Sequence, residues 1–217
     1  MSHDVDSLVP SDSGAISTIL TDVITRWHEQ EESVTDWESA KTELPLGRPE
    51  GWARTVERLQ VINTFQWHEE DKSRDHGADD TVLAAVKRSI DALNRRRVQT
   101  IDALDDIIYT GLNDAGLLKG GAPLNSESPA SIIDRLTVLA LKIYHVDEAL
   151  QAFRAGGEDP GRMPDRLDTL TEQSRDLGAC LDRMIAGIKA GEMGLKLYRQ
   201  VKVYREPGTG KLVAELD

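Results

Sequence analysis

Residues 128–155 leave the chain few choices. Ser128 and Pro129 open the stretch as an N-cap residue followed by the one residue pre-shaped for the first helical position. Behind them come Ile132, Ile133, Leu136, Val138, Leu139, Ala140, Leu141 and Ile143, which together occupy every side of a helix. A helix that is apolar all round has to be surrounded, so other segments must supply single apolar stripes to cover it.

The chain contains such segments. Ile16, Ile19, Leu20, Val23, Ile24 and Trp27 recur three and four apart after a cap at Asp12 or Ser13. Trp52, Val56, Leu59, Ile62 and Phe65 predict a helix from about Glu50 to Asp75, ended by Gly77. From about Thr81 to Asn113 the stripe is Val82, Val86, Ile90, Leu93, Arg97, Ile101, Leu104, Ile108 and Leu112. From Asp165 to about Ala190, Leu167, Leu170, Ser174, Leu177, Leu181, Met184 and Ile188 form a near-regular heptad seam suited to antiparallel packing. The expected fold is an all-α, single-domain antiparallel bundle of about five helices with 128–155 at its centre. Residues 1–12 read as a disordered tail, 13–207 as the bundle and 208–217 as a C-terminal extension. Residues 29–50, acidic and broken by Pro45, Gly47 and Pro49, read as an exposed connector. The closing VKVYREPGTGKLVAE has two readings, a helical extension or a small hairpin across Pro207–Gly210.

Charge narrows the function classes. With 26 Lys and Arg against 38 Asp and Glu, the net charge is −12, which disfavours contact with phosphate backbones. No apolar run approaches a membrane span and the N-terminus lacks the basic and apolar regions of a secretion signal, so a cytoplasmic protein without nucleic-acid or membrane partners is expected. The single Cys180 excludes an internal disulfide. A homo-oligomer built on the heptad seam or on the basic C-terminal segment stays open.

Several ionisable residues stand where apolar ones belong. The stripe of 50–75 runs on into His68 and Glu69, with Asp71 one step further, while Glu70 and Arg74 are spaced to pair on the outer side. Arg97 interrupts the stripe of 81–113, flanked by Asn94 and Asp105, and Asp134 sits inside the apolar IIDRLTVLAL beside Arg135, with His145 further along. A buried carboxylate without a partner is costly, so these groups form either a core salt-bridge network joining Arg97, Asp134 and Glu69 or the wall of a small-molecule site. In the site reading, His68 or Glu69 is the acid–base residue, Arg97 or Arg135 clamps an anion such as a phosphosugar or nucleotide, and Asn94, Asp134, His145 and Glu127 line the cavity.

A divalent metal is a further alternative, with His68 and Asp71 as ligands. His28–Glu31, His68–Asp71 and His145–Glu148 are each three apart on expected helices, but His3–Asp6 and His76–Asp79 share that spacing, so the pattern discriminates little. Trp-His-Glu occurs twice, at 27–29 and 67–69, which suggests that His28 and His68 face a common space. Phosphate loops, dinucleotide fingerprints and nucleophile elbows are missing. Asp102 and Asp105 resemble half of a helical pyrophosphatase metal motif without its Glu-x-x-Glu partner.

Taken together, QWHEEDKSRD at 66–75, LNRRRVQTIDALDD at 93–106, NSESPASIIDRLTVLALKIYH at 125–145 and YRQVKVYREP at 198–207 resemble the bacterial domain of unknown function 4254 family over roughly residues 15 to 207. Val98 departs from the polar residue expected after the arginine. The resemblance implies a helical fold without an assigned activity; association of some members with glycan assembly raises a non-catalytic adaptor or scaffold as the rival to a ligand site. It also implies shared roles for His68, Glu69, Asp71, Asn94, Arg97, Glu127, Asp134, Arg135 and His145.

Overall fold

The computed structural model describes residues 8–74, 77, 79–198, 201–205 and 208–216. Among these residues six α-helices follow one another: α1 Ser13–Glu29, α2 Trp37–Glu43, α3 Trp52–Lys72, α4 Asp80–Asp114, α5 Pro129–Gly156 and α6 Met163–Ala190. Local chemistry sets their ends. Asp12 accepts from the Ala15 amide at 2.9 Å, Asp79 from Thr81 and Val82 at 2.8 and 3.0 Å, and Ser128 from Ser131 at 3.2 Å, satisfying amides that have no partner inside a helix. Gly157 closes α5 in the left-handed region, at φ 68°, where a side chain would be strained.

The all-round apolar helix α5 is central, touching α1, α3, α4 and α6. Its Ala130, Ile132, Ile133 and Leu136 share a core with Ile16 and Leu20 of α1, Leu104 and Ile108 of α4 and Leu181 and Ile188 of α6. A smaller core of Val23, Trp27, Phe65 and Leu93 closes under α2. No helix among the described residues is long and apolar enough to cross a membrane.

Three features differ from the sequence expectation. The 29–50 connector contains α2, whose capping box pairs Asp36 with Ser39 and whose Ala40 and Leu44 are buried. Buried Glu57 holds the following loop down, accepting from Arg26 at 2.7 Å and from the amides of Gly47 and Arg48 at 3.1 Å each. Val9 is fully buried, and Leu8 lies so close to Gly111 that a Cβ there would stand 2.9 Å from its own; packing thus begins ahead of residue 13. At the other end, β1 Val201–Arg205 pairs antiparallel with β2 Leu212–Leu216, so the hairpin reading is the one adopted.

Candidate metal centre

Two groups of polar side chains lie among the central helices. The first joins α3, α4 and α5. Arg97 donates from Nε and Nη2 to the two carboxylate oxygens of Asp134 at 2.7 and 2.5 Å. Asn63 donates to Asp134 at 3.0 Å and to the Thr137 hydroxyl at 2.6 Å. This fork-to-fork contact holds the Arg97 guanidinium charged, above its ordinary value, against the cost of burial. Glu69 does not join the pair as expected. It is buried and takes Lys72 at 2.8 Å. Arg74 turns to Asp71 at 2.5 Å rather than to Glu70, because three residues along a helix bring the two tips together as readily as four. Arg135 is engaged by Glu127 at 2.9 Å on the exposed side, and Asn94 accepts from Gln66 at 3.0 Å. Asn63, Gln66, Trp67 and Arg97 line a cleft of about 200 Å³. Glu127 belongs to a separate cleft of about 250 Å³ with Asp102, Asn125 and Lys196.

The second group is built from histidines. His28 on α1, His68 on α3 and His145 on α5 each bring one ring nitrogen within 4.8 Å of the other two. His28 Nδ1 lies 2.8 Å from the Ile24 carbonyl one turn back. His68 Nδ1 faces Glu31 at 3.5 Å, and His145 Nδ1 faces Glu148 at 3.4 Å. The oxygens beside the three Nδ1 atoms favour the tautomer with the proton on Nδ1, in which Nε2 is the acceptor. The three Nε2 atoms are buried and have no hydrogen-bond partner. Burial holds His68 below the ordinary histidine value, with Glu31 pulling the other way and the other two histidines adding to the depression. The pairing of His68 with Asp71 expected from spacing is therefore replaced by His68 with Glu31, since Asp71 is taken by Arg74.

Each ring is braced by an aromatic residue from a different helix. Trp27 stacks on His68 with centroids 5.4 Å apart and planes 5° from parallel. Trp67 stacks on His145 at 5.2 Å and 8°, and Tyr144 on His28 at 4.3 Å and 26°. Each aromatic immediately precedes a histidine of the set, so three aromatic–histidine dipeptides close a cycle: the neighbour of His28 braces His68, that of His68 braces His145, and that of His145 braces His28. The rings meet one another edge to face, with centroids 5.1 to 5.7 Å apart. Stacking of this kind fixes ring planes and leaves each Nε2 with one direction to point.

The donor set fits a borderline transition metal: three neutral imidazoles, each oriented through its other nitrogen. Tetrahedral zinc would draw the nitrogens to roughly 3.3 Å apart, so loading would tighten the cluster. Among the described residues no further His, Cys, Asp or Glu joins it. His68 and His145 were candidates from sequence; His28 was indicated by its three-residue spacing to Glu31 and by the repeated Trp-His-Glu. The signal that finds all three is the aromatic–histidine dipeptide at 27–28, 67–68 and 144–145. His3 and His76 lie outside the described residues.

The family model described as Protein of unknown function (DUF4254) matches residues 53–197, a span that holds His68 and His145 but not His28. No curated protein matches, and no solved structure does either.

Proposed function

The chain belongs to the DUF4254 family, and from its side-chain geometry we propose that it is a metal-dependent enzyme whose ion is held by Nε2 of His28, His68 and His145. One observation carries the reading: three buried Nε2 atoms have no hydrogen-bond partner and belong to histidines whose ring nitrogens converge within 4.8 Å, while each Nδ1 faces an oxygen. Unmade hydrogen bonds at buried acceptors cost about 1–3 kcal/mol each, and three in one place call for a shared occupant. A single divalent ion satisfies them together. Three protein ligands, rather than four, is the pattern of a centre that keeps a position for water or substrate. His28, His68 and His145 would hold such an ion, which would supply Lewis acidity: a bound water of lowered pKa or a polarised carbonyl or phosphoryl oxygen.

The chain's own groups set the rest. Glu148 lies within hydrogen-bond distance of His145 Nδ1 and Glu31 stands 3.5 Å from His68 Nδ1, positions from which a carboxylate raises ligand basicity. Tyr144 remains a protonated phenol, pushed above its ordinary value by desolvation and then by Glu148 and Glu31. The two arginines considered as anion clamps already hold carboxylates of the chain, Asp134 and Glu127. The site is thus read as metal-centred, with a collar of acids at its outer side.

Titration of chelator-treated protein with Co²⁺ and Zn²⁺ tests this. One equivalent should bind, Co²⁺ should develop the visible absorption of a low-coordinate nitrogen site, and His28→Ala, His68→Ala and His145→Ala should each abolish both signals while keeping the helical circular dichroism. Absence of stoichiometric binding by the folded wild type overturns the reading.

A further inference from the structure

A groove of about 460 Å³ runs between α1, α5 and the first half of α6. Leu20, Ile24, Leu136, Ala140, Ile143 and Leu167 make its walls, and the hydroxyls of Ser17, Thr21, Thr171 and Ser174 stand along its rim. Its size is that of a small-molecule site, and apolar walls with a few placed polar groups are what such sites present. Among its lining residues one is charged, Asp147. That carboxylate is half-buried and makes no ion pair among the described residues; it accepts from the neutral Gln151 amide at 2.7 Å. Glu148, the next residue, adds negative charge on the same turn of α5. The groove therefore pairs an apolar trough with an uncompensated anion at one end.

We propose that this groove binds a small amphiphile with an apolar body of about six carbons and a protonated amine, the chain lying along Leu20, Leu136 and Ala140 and the ammonium on Asp147. The choice of a cation follows from charge complementarity: an ammonium gives Asp147 the ion-pair partner it lacks, whereas a carboxylate or phosphate would be repelled by it. The groove adjoins the histidine cluster through two shared residues. Tyr144 lines the groove and stacks on His28, and Ile24 lines it and orients His28 through its carbonyl. The proposal stands on the groove alone and does not need a bound metal.

The test uses the full chain in EDTA, so that no ion competes for the amine, with n-hexylammonium and hexanoate as probes, followed by isothermal titration and saturation-transfer NMR. Hexylammonium should bind at least about tenfold more tightly than hexanoate, the scale of one charge-assisted hydrogen bond. Asp147→Asn should remove that preference. Ser17→Trp and Thr171→Trp, both at exposed rim positions, should block both probes without loss of helical signal; two rim variants guard against one failing to fold. Equal binding of the two probes, an unchanged preference in Asp147→Asn, no binding of either probe up to 10 mM (about the weakest affinity of interest for so small a ligand), or a drop in molecular mass on Thr171→Trp that marks the groove as a contact between copies, would each overturn the proposal. Loss of hexylammonium binding leaves Co²⁺ binding untouched, so the two readings fail separately.

Discussion

The Asp134 knot and the histidine cluster are both polar groups set among the central helices and share α3 and α5, yet they are satisfied in opposite ways. In the knot, Arg97, Asn63, Thr137 and Asp134 supply donors and acceptors to one another. In the cluster, three buried ring nitrogens meet and none has a hydrogen-bond partner. A closed network stabilises a fold by itself; an open one of like groups is complete only with something added. Misplaced polarity in a sequence flags both kinds equally, and only the count of donors against acceptors separates them.

The contrast can be broken in four places. Asp134→Ala should cost the most, about 3 kcal/mol of stability by chemical denaturation, because it leaves Arg97 and Asn63 without their acceptor; the surviving folded protein should still bind Co²⁺. If stability is unchanged, the knot is not structural. Next, Zn²⁺ at about 100 times its Kd should stabilise wild type by about 2.7 kcal/mol, and His68→Ala should lose this gain while the metal-free variant unfolds no earlier than wild type. A variant equally destabilised with and without metal would place the histidines in the knot's class. Third, the outer acids should matter less: Glu31→Ala and Glu148→Ala should each weaken Co²⁺ binding roughly tenfold, with no change in metal-free stability.

The smallest effect concerns protons. The folded-state pKa of His68 is depressed by burial, so the unfolded chain binds this proton more readily. The stability contributed is fully present above the ordinary histidine value near 6.5 and is lost as pH falls from there through the lower folded value. Metal-free wild type should therefore weaken on acidification through that window, and His68→Gln should flatten the slope relative to wild type. An unchanged slope would mean that His68 is not the group responsible.

Much of the architecture was legible because the helices are long and their stripes regular: Leu93, Leu104, Ile108 and Leu112 are buried as the spacing required. The short α2 was not, since seven residues burying little more than Ala40 carry almost no periodicity and lie among prolines and acids. Charged residues in apolar stripes exposed Arg97 and Asp134. Asn63 and Thr137, neutral and short, gave no such sign, and Glu57 looked like any exposed glutamate until its loop closed over it. The histidine cluster was half legible. Spacing along one helix suggested His68 with Asp71, but the acid that faces His68 comes from the turn after α1, a pairing across elements that no local spacing encodes. The repeated Trp-His-Glu pointed at the right faces of α1 and α3, and Tyr144–His145 was overlooked because tyrosine breaks the literal match.

The cyclic stacking has one more consequence. Trp27 and Trp67, two of the four tryptophans in the chain, each lie face to face with an imidazole of the cluster. The protein carries its own optical reporter. On the proposed reading, a paramagnetic ion such as Cu²⁺ seated among the three rings would lie within one aromatic layer of both indoles and would darken their emission, whereas Trp52, on the first turn of α3, would keep its light. Occupancy can be followed in the unlabelled chain, from the fraction of fluorescence that disappears.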